Sequence, residues 1–205
     1  MAKIPLFQYD KEESDTEIGV LHVLKTIIQE RRSIKRFNGK PVALSDVAAV
    51  LEGASWAPNH GCREPWRFIV AAEAGLEAMQ NTLKECTIPK WNQLPEEELK
   101  QKTAGFSLPG AFVFVIVPED PRQKERLEDF SAASALIQNA QLLAWEQGIG
   151  TCWKTPAWID APKFRQALDV KPGERILAML QFGYYDELPK AKERTPIEEK
   201  ITYFG

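Results

Sequence analysis

The sequence predicts an α+β fold, in which helices and strands share one core without the regular alternation of a doubly wound sheet. Two observations carry this. Residues 112–117 (FVFVIV) form an unbroken apolar run bounded by Gly110 and Pro118, the pattern of a strand buried on both faces. Helical and strand patterns interleave irregularly around it, and no internal repeat is present.

Residues 1–16 are polar and charged without a sustained period, and read as an extended N-terminal arm. Ile18, Leu21, Leu24, Ile27 and Ile28 then recur at three- and four-residue intervals, which predicts a helix running into Arg31-Arg32-Ser33. After Pro41 a second helix is expected, with Ser45 as its N-cap, Val47, Val50, Leu51 and Ala54 as its apolar stripe and Pro58 as its stop. Residues 66–71 read as a strand, and Leu76, Met79 and Leu83 mark a third helix. Residues 85–110 hold Pro89, Pro95, Gly105, Pro109 and Gly110 around the charged run PEEELKQK, the composition of an excursion with one short helix that covers a site.

A long helix is expected over residues 123–147, closed by Gly148 in the position of a left-handed cap. Its centre, SAASALIQNAQLLAW, is rich in small residues that let another helix come close. Residues 151–154 and 176–182 are strands in this reading, with a short helix over 162–168 between them, and ELPKAKERTPIEEKITYFG is an extended tail. Residues 17–205 are thereby expected to form a single domain.

A chain of 205 residues with 44% hydrophobic side chains is long enough to bury a substantial core. Its net charge of -3 gives no global basic field, which argues against nucleic acid as the main partner and leaves any anion site to local clustering. Cys62, Cys86 and Cys152 are scattered and only His22 and His60 supplement them, so no metal centre is expected and a reducing compartment suits the chain. The longest apolar run is far too short to cross a bilayer, and the first residues turn acidic where a secretory signal is apolar. A cytoplasmic protein without membrane contact is the expectation.

Four constellations carry candidate chemistry. RRSIKRF places Arg31, Arg32, Lys35, Arg36 and the Ser33 hydroxyl directly after a helix; guanidinium forks and a short hydroxyl suit a phosphomonoester, while the same cations also offset a helix dipole. The proline-bracketed APNHGCREPWRF, with Pro58, Asn59 and His60, is a rigid way to present polar groups to a planar ligand, or an ordinary helix-to-strand turn. GIGTCWKTP carries Trp153, Lys154 and Thr155; it is a helix cap and strand and not a dinucleotide fingerprint, since GxGxxG is absent from the chain. Near the end, Lys192-Glu193-Arg194 is by itself a solvated charge run.

In their order and spacing, ERRSIKRF, APNHGCREPWRFIV and GIGTCWKT with the Lys-x-Arg tail resemble the nitroreductase family of FMN-dependent oxidoreductases, and most closely its small, compact branch. The resemblance spans about residues 20–205. It implies a central, mostly antiparallel sheet flanked by helices, in a domain completed by dimerisation. It further implies that Arg31, Arg32 and Ser33 bind the phosphate and ribityl end of FMN, that Lys35 lies near the pyrimidine edge, and that Lys192 and Arg194 reach the phosphate. Pro58, Asn59 and His60 would line the ring from the other subunit, and Trp153, Lys154 and Thr155 would form the wall near its reactive edge. Cys62 and Glu64 stand where the family often has asparagine and glutamine. Trp91 and Phe106 of the excursion are the candidates for a movable substrate lid, or for its anchors.

The implied activity is transfer of hydride from NAD(P)H to a small electron-poor acceptor, a nitroaromatic, quinone or similar molecule, with ping-pong kinetics in a homodimer. Three other readings stand beside it: a flavin-binding or regulatory module without turnover, an oxygen-using oxidase or dehydrogenase of the same fold, and a dimeric scaffold whose basic turn binds nothing.

Overall fold

The computed structural model describes residues 17–205, with side chains from Val23 onward. The expected arm over 1–16, and the Ile18 and Leu21 side chains of the opening stripe, lie outside the described residues. The elements are α1 (Glu17–Glu30), α2 (Leu44–Ala54), β1 (Arg67–Ala72), α3 (Ala74–Thr87), α4 (Glu96–Ser107), β2 (Ala111–Pro118), α5 (Gln123–Glu146), β3 (Gly150–Lys154), α6 (Pro162–Ala167) and β4 (Glu174–Gly183). The four strands form one sheet in the order β1-β2-β4-β3, and every neighbouring pair is antiparallel. This is the α+β architecture that the sequence predicts.

The apolar run of β2 is central, and both of its faces are covered. Val113, Val115 and Val117 pack with Val47 and Val50 of α2 and Leu136, Ile137 and Ala140 of α5. Phe112, Phe114 and Ile116 meet Met79 and Leu83 of α3, Phe106 of α4 and Phe164 of α6 on the opposite side. Phe114 and Phe164 contact edge to face at 5.5 Å between ring centroids, and both are fully buried. Truncating either to alanine is worth about 3–5 kcal/mol of stability.

A bulge sets which residues of β4 reach each layer. Val115 opposes Ala178 but Ile116 opposes Ile176, so Leu177 is the extra residue. That insertion flips the alternation: Ala178, Leu180 and Phe182 join the α2/α5 side, while Ile176 joins Met179 on the α3/α4/α6 side.

Two helix boundaries differ from expectation. Ser45 lies inside α2 and is not its N-cap; the cap position is Ala43, which makes no side-chain bond. Instead the Leu44 N–H donates to Glu73 Oε1 at 3.1 Å, so a carboxylate distant in sequence satisfies this helix end and its partial positive charge. The helix also ends at Ala54, ahead of Pro58. The excursion over 85–110 is more ordered than its composition implies, because Phe106 is buried and Leu94 and Leu99 pack against the same cluster, fixing α4 as a 12-residue helix. Gly148 behaves as expected, with φ +74°, and the Ile149 N–H returns to the Ala144 carbonyl at 2.8 Å. Among the described residues, no helix is long and apolar enough to cross a membrane, and no His/Cys/Asp/Glu cluster has metal-binding geometry.

Candidate functional site

The end of α1, the segment that follows it and the C-terminal tail enclose a cavity of about 1040 Å³. Arg31, Arg32, Ser33, Lys35, Lys192 and Arg194 all line it, although some 160 residues of sequence separate the two groups. Arg36 and Lys190 add to this lining, and among the described residues Glu187 is its one carboxylate. Gln138 of α5 contributes a neutral polar group that no sequence signal marked.

The local fold explains why the cations face outward. After α1 the chain runs along the edge of β3, where Ser33 makes a parallel bridge to Thr151 and the Ile34 N–H donates to the Thr151 carbonyl at 2.9 Å. Ile34 and Phe37 are buried anchors, and Ser33, Lys35 and Arg36 between and beside them remain exposed. Glycine permits this close approach. Gly150 and Gly183 oppose one another across β3 and β4; a Cβ on Gly150 would meet Ile34 Cγ1 at 2.6 Å, and one on Gly183 would meet Phe37 Cδ1 at 2.6 Å. Gln141 of α5, also buried, donates to Thr151 Oγ1 at 3.4 Å and helps fix the strand that carries the bridge.

The two neighbouring arginines differ in what their guanidiniums reach. Arg32 Nη1 donates to the Gln29 carbonyl at 2.7 Å and the Arg31 carbonyl at 3.0 Å, which serves the exposed carbonyls of the α1 C-terminus. Arg31 is different: its Nε and Nη1, like Arg32 Nε, are buried donors with no acceptor among the described residues. Burial, then the guanidiniums of Arg32 and Arg194, lower the Arg31 pKa, although arginine stays charged at neutral pH. Among the described residues, none of the cations lining this cavity takes part in an ion pair. Clustered, half-buried, unpaired guanidinium donors call for an anion with several oxygens, and a phosphomonoester supplies them.

Lys154 belongs elsewhere. It lines a second cavity, of about 370 Å³, with Phe106 and Lys102 of α4, Trp158, Met179 and Gln181. Its neighbours Trp153 and Thr155 are exposed and border neither cavity. The two sites are joined through β3, whose Cys152 thiol is pushed up by burial against the opposing pull of Lys154, Lys35 and Arg31. A thiol so placed is inert. Trp91 also borders neither cavity; it packs on the α3/α6 cluster under the Lys84 ammonium, 4.6 Å from its ring centroid. Of the two lid candidates, Phe106 alone lines a cavity.

Pro58, Asn59 and His60 stand apart from both cavities, in a tight turn before β1. Asn59 uses its side chain internally, accepting the Glu64 N–H at 2.9 Å and donating to the Ala57 carbonyl at 3.3 Å. Cys62 and Glu64, exposed, hold left-handed backbone with φ +49° and +47°, a conformation that costs a non-glycine residue about 1–3 kcal/mol. The turn is held down by Arg63, whose Nη2 donates at 2.6 Å to the buried Asp129 of α5. Sequence reasoning passed over Asp129 because one acid in a helix carries no signal.

Known proteins resemble this chain in sequence and in fold. The model of the nitroreductase family matches residues 28–184. The Bacillus subtilis protein YfhC, whose name assigns it provisionally to the NAD(P)H nitroreductases, is 42% identical over 182 residues, which is 88% of this chain and 93% of YfhC. The crystal structure of a nitroreductase-like family protein from Bacillus cereus superposes with a TM-score of 0.76 at 36% identity, covering 88% of this chain and 95% of the other. A Desulfovibrio desulfuricans protein, assigned provisionally to the nitroreductases and solved in complex with FMN, shares the fold at 23% identity with a TM-score of 0.69, over 89% and 96% of the two chains.

Proposed function

Because this chain belongs to the nitroreductase family, we propose that it is an FMN-dependent oxidoreductase that moves reducing equivalents from NAD(P)H to a small electron-poor acceptor such as a nitroaromatic or a quinone. The observation that carries the reading is the cation-lined cavity with its orphaned Arg31 and Arg32 donors. The name of YfhC adds the nicotinamide, and the FMN complex of the Desulfovibrio protein adds the flavin.

The residues present fit the cofactor. In this reading Arg31, Arg32 and Ser33 hold the phosphate and the adjacent polyol, Lys192 and Arg194 close over it from the tail, and Lys35 lies near the pyrimidine edge. When bound, FMN supplies the two-electron carrier that no side chain offers. The protein's own work is to bind, orient and exclude water, with no side chain in a covalent role. Lys154 at the end of β3 serves the reactive edge, joined by Trp153 and Thr155.

A homodimer completes the proposal, with Pro58, Asn59 and His60 offered to the site of a second protomer. Their separation from both cavities supports this, as do the exposed apolar side chains of Leu24, Ile28, Trp56, Leu127, Tyr203 and Phe204. Reduced nicotinamide and acceptor then occupy the same place in turn, giving parallel double-reciprocal plots; intersecting plots oppose that order. The deciding experiment is the visible spectrum of the purified protein with FMN, before and after anaerobic NADPH and then NADH. A yellow protein bleached within seconds by either nicotinamide is expected. Failure to retain FMN supplied in excess overturns the reading.

A further inference from the structure

The second cavity contains a polar group that the cation-lined cradle at the end of α1 does not explain. Gln181 lies on β4 between β2 and β3, is 1% exposed, and lines the space beneath α4. Its Nε2 donates to the Gly105 carbonyl at 2.7 Å, which fixes the amide orientation, since the flipped amide would set two oxygens face to face. Oε1 is therefore committed to being an acceptor, and it is buried without a donor. A buried acceptor left unpaired is destabilising unless a ligand answers it.

The rest of the lining specifies that ligand. Phe106, Trp158 and Met179 give apolar walls suited to a flat ring. Lys154 and Lys102, the latter also 3.4 Å from Glu98 Oε1 on the same helix, bring two ammonium groups, and among the described residues no carboxylate lines the cavity. Lys154 Nζ shares the Gly105 carbonyl at 3.3 Å, so a β3 cation and a β4 amide both tie down the end of α4 that forms the roof. Thr151 at the start of β3 borders the cradle through its bridge to Ser33, and Lys154 three residues on opens into this cavity, about 10 Å further along the strand.

The geometry points to a second small-molecule site beneath α4, one that takes a small aromatic anion carrying a hydroxyl or amino donor. The donor meets Gln181 Oε1, the anionic group meets Lys102 and Lys154, and the ring lies among Phe106, Trp158 and Met179. That the occupant is also the electron acceptor rests on the flavin reading above; the binding itself does not.

Titration calorimetry on the purified protein with three redox-inert probes tests this: 3-hydroxybenzoate, 3-methoxybenzoate, which lacks the donor, and 3-hydroxybenzyl alcohol, which lacks the charge. We expect 3-hydroxybenzoate to bind at least about tenfold more tightly than 3-methoxybenzoate, because a site built around a buried polar group discriminates against the analogue that leaves it unpaired. The alcohol should bind severalfold more weakly than the acid. Gln181→Leu should remove the hydroxyl preference. Equal binding of hydroxy and methoxy acids to the native protein, or a preference surviving in Gln181→Leu, overturns the proposal. Since that variant also loses the bond to Gly105, Lys102→Ala gives an independent arm at an exposed side chain: it should narrow the gap between acid and alcohol while keeping the gap between hydroxyl and methoxy, and an unchanged acid-to-alcohol gap also overturns it. Flavin content measured on the same samples separates the two readings. Donor preference in protein that never takes up FMN sinks the flavin reading and keeps this site; FMN-loaded protein without the preference does the reverse.

Discussion

The cradle at the end of α1 and the cavity beneath α4 both border β3, yet they meet opposite electrostatic problems. The cradle gathers like charges from two distant stretches of chain, with exposed lysines and a tail of exposed residues around the buried Arg31 and Arg32 donors. Beneath α4, a single neutral amide on an interior strand is left with one unpaired oxygen, and the charged side chains lining the cavity, among the described residues, are Lys102 and Lys154. Coulombic binding suits the first and hydrogen-bond discrimination suits the second: a charged cluster grips any compatible anion, whereas a buried orphan acceptor selects by the presence or absence of one donor.

Arg31→Ala tests the charged side with the largest expected effect. Loss of a charge-assisted contact should weaken FMN binding by about 1.5–3 kcal/mol, roughly ten- to a hundredfold in a flavin titration. A variant that purifies fully yellow would show that the phosphate is held elsewhere. Gly150→Ala strikes the strand common to both sites. Its methyl group would lie 2.6 Å from Ile34 Cγ1 and 2.7 Å from Tyr185 Cδ1, an overpacking worth about 1–3 kcal/mol, visible as a lower Tm together with weaker flavin retention. An unchanged Tm would mean that the segment after α1 yields freely and is not anchored on β3.

Ionic strength sharpens the contrast more gently. Raising salt should weaken FMN retention severalfold by screening the cradle, while the hydroxyl-over-methoxy preference beneath α4 stays constant, because it compares two equally charged ligands. A preference that fades with salt would make that cavity a charge site as well. The smallest effect belongs to a pair outside both. Arg67 Nε donates to Glu174 Oε1 at 2.7 Å and holds the Glu174 carboxyl down to about 2 from its ordinary 4.5. A lowered carboxyl pKa stabilises the fold above the ordinary value, and that contribution disappears as pH falls from about 4.5 toward 2. With both groups partly exposed the pair is worth at most about 1 kcal/mol, so Glu174→Gln should slightly flatten the acid limb of a stability-against-pH curve. An acid limb identical to that of the native protein would assign the effect to other carboxylates.

How much of this was legible depends on how local the cause is. The β2 strand, the long α5 helix and the Gly148 cap followed from runs, periods and one left-handed position, each set within a few residues. Ser45 misled because capping propensity is local, while the donor it was expected to satisfy is taken by Glu73 across the fold. In the candidate site, the cations of RRSIKRF and of the tail stood out as composition, and the structure lines one cavity with both. Gln181 did carry a faint signal, a polar residue within the apolar strand LAMLQFG, but nothing in that string says which of its atoms finds a partner.

The sequence by itself determined the sheet-and-helix inventory and the two charged clusters, because backbone sterics, side-chain period and formal charge are properties of short segments. Only the tertiary structure decided the bulge at Leu177, the facing Gly150 and Gly183 that admit Ile34 and Phe37, and the orphaned oxygen of Gln181. Those depend on register and on what stands opposite, and whether a buried group is paired is a property of all its neighbours at once.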